Sequence, residues 1–165
     1  MSRQALAAIG AVVLLAAGGW WWWGTASSDE REVRRLFENF AAEFNDGATS
    51  GFGTLAHTAR LAEFFSPDVV VELGQGSPPI QGRETLMGMA GRLQPRTAAF
   101  VLEMDDVNVE FTAPDRGDVT FTALIRRRSF VSGEESIDAR EFAAEVVRIG
   151  GRWRLSRVVA IDTLR

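Results

Sequence analysis

The sequence of 165 residues contains no cysteine, no lysine and no tyrosine, and it has one histidine, His57. The chain therefore has no disulfide, no thiol nucleophile, no lysine that could form a Schiff base and no phenol. A single histidine without cysteine also argues against a zinc site built from the usual cysteine and histidine ligands. We expect no metal and no cofactor.

The charged residues are concentrated after residue 28, and their sum is negative. All 22 acidic residues and 17 of the 18 arginines lie from Asp29 onward, which gives this part a net charge of −5. An acidic domain without a basic patch repels phosphates, so no nucleic-acid partner is expected. The composition, 46% hydrophobic and 24% charged, is typical of a globular domain.

An apolar tract at residues 5–23 has no charged or hydroxyl side chain and ends in Trp20, Trp21, Trp22 and Trp23. As a helix it would be about 28 Å long, close to the hydrocarbon core of a bilayer. It exceeds the usual apolar region of a signal peptide, and tryptophan favours the membrane–water interface. We predict a single transmembrane anchor and short linker at residues 1–26. Cleavage after Ala26 and a buried core helix are the alternatives.

The charges on each side of the tract bear on the orientation of this anchor. Arg3 precedes the tract, whereas Arg31, Arg34 and Arg35 follow it, which opposes the usual excess of positive charge on the cytoplasmic side. The three later arginines, however, alternate with acidic residues of a predicted domain. The short N-terminal tail with its one arginine then favours a cytoplasmic N-terminus, so we expect that domain, residues 27–165, on the periplasmic or extracellular side. The protein would then be a single-pass membrane protein of a bacterial envelope.

Helical patterns dominate the first half of the domain. Ser27 and Glu30 have the spacing of a capping box, and an apolar stripe follows until Asn45-Asp46-Gly47, where we expect the helix to stop. A second helix is predicted at 54–65, a short strand at 68–74 and a third helix at 83–94.

The second half has the pattern of a β-meander. Strands are predicted at 99–111, 118–131, 137–149 and 152–162, joined by turn sequences, and Asp105-Asp106 inside the first of them indicates a bulge. Helices followed by antiparallel strands indicate an α+β fold.

The hairpin turns predict a pairing register. Centring the last turn on Gly150-Gly151 places Val146 opposite Leu155 and Ala144 opposite Arg157; centring the previous one after Gly133 places Phe121 opposite Val146. One sheet face then carries the core residues Phe121, Ala123, Ile125, Phe142, Ala144, Val146, Trp153, Leu155, Val159 and Ile161. The other face carries an apolar patch, a candidate dimer face, made of Leu124, Ala143, Val158 and Ala160.

Two stretches resemble the NTF2-like superfamily, which includes the SnoaL-like proteins and the ketosteroid isomerases. They are LAEFFSPDVVVELGQGSPPIQGRETL at 61–86 and REFAAEVVRIGGRWRLSRVVAIDTL at 140–164. The resemblance covers about residues 29–165. It implies a cone-shaped α+β fold in which three N-terminal helices pack against a curved antiparallel sheet around a pocket, and it implies dimers formed through the outer face of the sheet.

The resemblance also places an isomerase base late in the first strand, and this chain has Leu73 at that position with Glu72 beside it. The tyrosine of the family's oxyanion hole has no counterpart, because the chain has no tyrosine. Proton abstraction needs both a base and a donor for the developing oxyanion. The chain therefore lacks both groups at the matching positions, which argues against catalysis.

Two polar residues are candidates for the pocket. His57 shares a helix face with Phe64; it is either a core-edge histidine satisfied by a backbone carbonyl or a pocket-lining acid–base group. Arg157 is predicted on the core face of the last strand, where a guanidinium must be paired. It would form an internal ion pair with Asp105 or Glu72, or bind an anionic group of a ligand.

The predicted register also places Arg127 opposite Arg140 near the hairpin tip. Because like charges repel, we expect this end to project into solvent, with an anion clamp as the alternative. The pocket candidates are therefore Arg157, His57, Trp153, Phe64 and Glu72.

These features predict a membrane-tethered domain that acts without catalysis, as a module for binding a small anionic or apolar ligand or for assembly, most often as a homodimer. One alternative is an isomerase, lyase or hydrolase that uses His57 and Arg157 in the pocket. Another is a structural dimerisation partner in an envelope complex.

Overall fold

The computed structural model describes residues 27–50, 55–74, 76–90, 98–129 and 132–161. The chain divides into two units, Met1–Arg31 and Glu32–Arg165. The described residues form three helices and six strands: α1 Ser28–Ser50, α2 Leu55–Ala62, β1 Phe65–Glu72, β2 Ile80–Gln81, α3 Arg83–Ala90, β3 Ala98–Ala113, β4 Arg116–Ser129, β5 Glu135–Ile149 and β6 Arg152–Ala160. The predicted order of helices followed by a meander is confirmed.

Helix α1 begins where the capping pattern places it but ends later than predicted. The hydroxyl of Ser27 accepts a hydrogen bond from the amide of Glu30 at 3.1 Å, which satisfies one of the free donors of the first turn. The helix continues through Asn45 and Gly47 to Ser50. The predicted stop was wrong because these residues make tertiary contacts instead of ending the helix. The side chain of Asn45 bonds to Leu102, and Gly47 lets the ring of His57 pack against the helix backbone.

The six strands form one sheet in the order β2-β1-β6-β5-β4-β3, in which β1 runs parallel to β6 and the other pairs are antiparallel. Strand β1 begins at Phe65, in a segment predicted as helix, because Phe65 pairs with Leu155 of β6. The two-residue strand β2 lies between the predicted strand at 68–74 and the predicted helix at 83–94, where no strand was predicted, and it pairs with Val70 and Val71.

Strands β4 and β5 pair in a register four residues away from the predicted one. Phe121 lies opposite Phe142 instead of Val146, and Arg127 lies opposite Ser136 instead of Arg140. Because the offset is even, the same side chains still point to the inner face. Arg127 and Arg140 are both exposed, as expected for a hairpin end that projects into solvent.

A bulge in β6 changes which face its second half presents. Val146 pairs with Leu155 as predicted, but Glu145 pairs with Arg157, so Ser156 is an extra residue. The Ser156 hydroxyl donates a hydrogen bond to the Glu145 carbonyl at 3.2 Å. From Arg157 onward the faces are therefore exchanged relative to the prediction.

The bulge predicted at Asp105-Asp106 is confirmed. The β3–β4 register shifts between Asp105 and Asn108, and Asp106 has a φ of 53°. The amide of Asn108 donates to the Asp106 carbonyl at 2.9 Å, and a guanidinium nitrogen of Arg34 in α1 donates to the carbonyl of Val107. Such a bulge bends the strand, which lets the sheet curve over the helices.

The core lies between the inner face of this sheet and helices α1, α2 and α3. Phe37 of α1 packs on Phe121 of β4 with ring centroids 4.9 Å apart. Together the buried apolar side chains form one cluster: Val33, Phe37, Ala41, Leu61, Phe65, Val69, Val71, Met87, Leu102, Val119, Phe121, Ala123, Ala144, Val146, Trp153 and Leu155.

Asn45 covers the edge of the sheet at β3. Its amide nitrogen donates to the carbonyl of Leu102 at 2.9 Å, and its amide oxygen accepts from the Leu102 amide at 2.7 Å. The side chain thus takes the place of a neighbouring strand for one residue, which protects the edge from pairing with another chain.

Within the described residues, no helix combines the length and apolar composition needed to cross a bilayer. The tract at 5–23 with Trp20, Trp21, Trp22 and Trp23 lies outside those residues, so the transmembrane anchor stays a prediction.

Candidate functional site

A cleft of about 440 Å³ opens between α1, the end of α2 and the turn between β5 and β6. Helix α1 contributes Leu36, Asn39 and Glu43, which lie on one helix face because they are spaced by three and four residues. The neighbouring face of the same helix carries Val33 and Phe37 in the core. One helix therefore both fills the core and lines the cleft.

The apolar wall of the cleft includes the aromatic side chains of Phe64 and Trp153. The carbonyl of Phe64 accepts a hydrogen bond from the amide of Leu155 at 2.8 Å, which fixes the end of α2 to β6. The ring of Phe64 also packs edge-on against Phe40, with centroids 5.5 Å apart. The two residues were predicted for the pocket, and the structure brings them together.

Trp153 is 5% exposed and is held on both sides. The Phe111 ring lies 5.4 Å from its ring, and the Arg148 guanidinium carbon lies 5.5 Å above its centroid. Arg148 also approaches Glu32 of α1 at 3.4 Å. These contacts make the indole a rigid part of the cleft.

The far end of the cleft carries a cluster of four charged or ionisable groups, Glu43 and Asp46 from α1 and His57 and Arg60 from α2. Arg60 Nε lies 2.6 Å from Glu43 Oε1, and Arg60 Nη2 lies 3.6 Å from Asp46 Oδ2. His57 Nδ1 lies 2.9 Å from the same Glu43 oxygen and 3.4 Å from Arg60 Nη2. Glu43 and Arg60 face the cleft, and His57 stands behind them.

His57 is 1% exposed, so it lies deeper than a pocket-lining group. Its Nδ1 edge contacts the Glu43 carboxylate, and its Nε2 edge lies against Gly47, where a Cβ atom would come within 1.9 Å of the ring. The expected position near the core edge is confirmed, although the contact at Nδ1 is a carboxylate instead of a backbone carbonyl.

Sequence reasoning missed Glu43, Asp46 and Arg60. The available signal was a pair of acids three residues apart on α1 and a histidine–arginine pair three residues apart on α2. Residues three apart share a helix face, and consecutive helices of opposite charge pack readily.

The predicted inward position of Arg157 was wrong. The bulge at Ser156 turns its side chain to the outer face, where 49% of it is exposed and it lies 2.8 Å from Glu72 and 3.7 Å from Glu145. The hydrogen bond to Glu72, then the charge of that carboxylate, raises the pKa of Arg157 above its ordinary value. The predicted partner Glu72 is therefore right, but both residues lie away from the cleft.

The same bulge divides the predicted dimer face. Val158 pairs with Ala144 and packs on the core, and Ala160 pairs with Phe142, so both belong to the inner face. Leu124 and Ala143 remain on the outer face as predicted. Val159, predicted in the core, joins them there, because it pairs with Ala143 and Glu72.

The SnoaL-like domain family matches residues 25–159 of this chain. No curated protein sequence matches it. Three of the solved structures that share the fold illustrate the range of proteins it serves. A scytalone dehydratase candidate from Novosphingobium aromaticivorans is 15% identical, with a TM-score of 0.69 over 82% of this chain and 85% of that one. A hexachlorocyclohexane dehydrochlorinase, LinA type 3, from Novosphingobium barchaimii is 17% identical, with a TM-score of 0.61 over 82% and 90%.

The third structure is a candidate association domain of a calcium/calmodulin-dependent protein kinase II from Xanthomonas campestris. It is 14% identical, with a TM-score of 0.64 over 84% of this chain and 91% of that chain. The three names include two enzymes and an association domain, so the shared fold does not select a function. The family match spans most of the described elements, and the chain belongs to the SnoaL-like domain family.

Proposed function

We propose that this SnoaL-like domain binds a small organic ligand in the cleft beside Trp153 without converting it. The observation that carries the proposal is the position of His57, the one imidazole of the chain. It is buried behind Glu43 and Arg60 and in contact with Gly47, so it does not present a ring nitrogen to a ligand in the cleft. A general base must come within hydrogen-bond reach of the proton that it removes.

The carboxylates of the cleft are also engaged. Glu43 contacts Arg60 at 2.6 Å, Glu32 contacts Arg148 at 3.4 Å, and Glu63 contacts Arg152 at 3.8 Å. A carboxylate whose oxygen already accepts from a guanidinium has less capacity to take a proton from a substrate. These pairs suit recognition of polar groups more than proton transfer.

The lining indicates the class of ligand. Leu36, Phe64 and Trp153 offer an apolar surface, and Asn39 and Arg60 offer hydrogen-bond donors at its border. A cleft of this kind favours a largely apolar molecule that carries one or two polar substituents. The cleft contains both guanidinium and carboxylate groups, so it does not select for an anion, and Arg157 has no part in it.

The test is a screen of small aromatic and aliphatic compounds for ligand-induced thermal stabilisation of the full chain. Asn39→Trp places an indole in the cleft and should abolish stabilisation by any hit, whereas Glu38→Trp, at the next position on α1 and outside the cleft lining, should not. Recovery of a hit in chemically changed form, or equal stabilisation of both variants, would refute the proposal.

An enzyme is the second candidate, and one observation favours it. The 2.9 Å contact between His57 Nδ1 and Glu43 is the arrangement of an acid–base pair in which a carboxylate orients an imidazole. Isomerase, lyase or hydrolase activity would then depend on Glu43. Turnover of a hit compound that disappears in Glu43→Gln but survives Glu63→Gln would support this candidate over simple binding.

We propose further that residues 5–23 tether the domain to a membrane with the domain on the periplasmic or extracellular side. The support is the length of the apolar tract and its four terminal tryptophans. Protease added to intact spheroplasts should digest the domain, and complete protection would contradict this orientation.

Self-association through the outer sheet face is the third part of the proposal. Leu124, Ala143 and Val159 lie there beside the Arg157–Glu72 pair. A homodimer would cover these side chains; an envelope partner protein is the alternative occupant. Light scattering of the purified chain separates the two, because a homodimer needs no second protein.

A further inference from the structure

We infer that Glu43, Asp46 and His57 bind a divalent cation of the Mn²⁺, Co²⁺ or Zn²⁺ class at the end of the cleft. One ligand atom from each residue lies within 4.8 Å of the other two. The set consists of one imidazole nitrogen and two carboxylates, which suits borderline and hard divalent ions. The sequence argument against zinc concerned sites of cysteine and histidine and does not apply to this set.

A cation already lies at this position. The Arg60 guanidinium contacts all three groups, at 2.6 Å from Glu43, 3.6 Å from Asp46 and 3.4 Å from His57 Nδ1. The two carboxylates exceed the single guanidinium by one negative charge when the imidazole is neutral. A divalent ion neutralises both carboxylates, and Arg60, whose side chain is 51% exposed, can withdraw into solvent.

The spacing of the ligand atoms fits a metal ion. Two atoms that each lie about 2.1 Å from one ion at 90° to 110° are about 3.0 to 3.4 Å apart. Glu43 and His57 are already 2.9 Å apart. The Asp46 side chain is 65% exposed, so it can rotate toward them without disturbing the core.

The imidazole is held in the orientation that this site needs. Contact with the Gly47 backbone fixes the Nε2 edge, which directs the Nδ1 edge toward Glu43. Binding at Nδ1 leaves the ring proton on Nε2. Because Glu43 borders the cleft, the remaining coordination positions face it, as in metal sites with three protein ligands and an exchangeable fourth position.

Binding of Mn²⁺ or Co²⁺ alone to the full chain tests this inference, through loss of the free Mn²⁺ signal in electron paramagnetic resonance and through Co²⁺ absorption. Arg60→Ala should tighten binding, because the competing guanidinium is gone. Asp46→Asn and Glu43→Gln should weaken it by about tenfold or more. Glu38→Gln on the same helix and Arg126→Ala in a distant ion pair should have no effect.

Asp46 is exposed, so Asp46→Asn will fold even if a change at the buried His57 does not, and circular dichroism checks each variant. The inference is overturned if neither the natural chain nor Arg60→Ala binds either ion below about 1 mM. It is equally overturned if Asp46→Asn and Glu43→Gln bind as tightly as the natural chain. Because this experiment uses no organic ligand, a negative result here does not contradict the ligand-binding proposal, which has a separate test.

Discussion

The imidazole of His57 lies directly against the backbone of Gly47, so close that a Cβ atom at position 47 would come within 1.9 Å of Nε2. A neighbouring side chain thus requires glycine in the last turn of α1, although the backbone φ of Gly47 is one that other residues also adopt. Replacing it should displace the ring and the contact between His57 and Glu43 on the opposite edge.

Gly47→Ala should lower the free energy of unfolding by about 2 kcal/mol or more, because the added methyl group overpacks a buried contact. Gly88→Ala in α3 is the matched control. Its Cβ would meet no atom within 4 Å, and alanine favours a helix by up to about 1 kcal/mol, so this variant should be neutral or more stable. Urea denaturation measures the free energy of unfolding of both variants. Equal values would contradict the conclusion that the His57 ring excludes a Cβ atom at position 47.

Asn45→Asp should also destabilise the fold, by about 1 to 3 kcal/mol, because a carboxylate cannot donate to the Leu102 carbonyl that the amide now satisfies. Asn39→Asp on the same helix is the control; its side chain faces the cleft, and we expect a small effect. Asn45→Ala removes the acceptor as well as the donor, so hydrogen exchange at the Leu102 amide should be faster in this second variant. An unchanged exchange rate there would disprove the role of Asn45 as a cover for the sheet edge.

Neighbouring valines on β6 should respond in opposite ways to the same change. Val158→Asp places a carboxylate against the core and should cost about 2 kcal/mol or more in unfolding free energy. Val159→Asp lies on the outer face and should leave the thermal midpoint nearly unchanged while reducing any self-association. Light scattering and thermal denaturation of the two proteins test both statements; a dimer that persists in a folded Val159→Asp argues against the outer-face interface.

Arg157→Ala should leave ligand binding in the cleft unchanged. The guanidinium lies on the opposite face of the sheet, paired with Glu72 and Glu145 and half exposed, so its removal should also affect stability little. A calorimetric titration with any cleft ligand measures this directly. Loss of binding in Arg157→Ala, with circular dichroism unchanged, would mean that the outer face takes part in the site.

Much of the fold could be predicted from the sequence, because periodicity reports which side chains are buried. The stripe that contains Val33 and Phe37 and the Gly150-Gly151 turn were enough to place α1 and the last hairpin. The pairing beyond Leu155 could not be obtained by counting from a turn, because the extra residue shifts the register by one and so exchanges the two faces of the strand. Two adjacent polar residues, Ser156 and Arg157, were the local signal of that bulge.

The candidate site was less predictable. Phe64 was a candidate because it shares a predicted helix face with His57, and Trp153 because it lies on the predicted inner face of the last hairpin. The structure brings the two into one cleft. The cluster around Glu43 and Arg60 depends on how α1 and α2 pack together, and no periodicity within either helix contains that information. The contact between these two charged helix faces is therefore visible only in the three-dimensional structure.

Ser156 divides β6 into two segments of opposite phase. Removing this one residue would exchange every later side chain between the faces, sending the Arg157 guanidinium toward Ala144 and moving Val158 to the surface. Relatives that lack the extra residue would present different chemistry on both sides of the same strand, even where their sequences align without other gaps. Functional residues on this strand should consequently be transferred between relatives by strand pairing, never by position number alone.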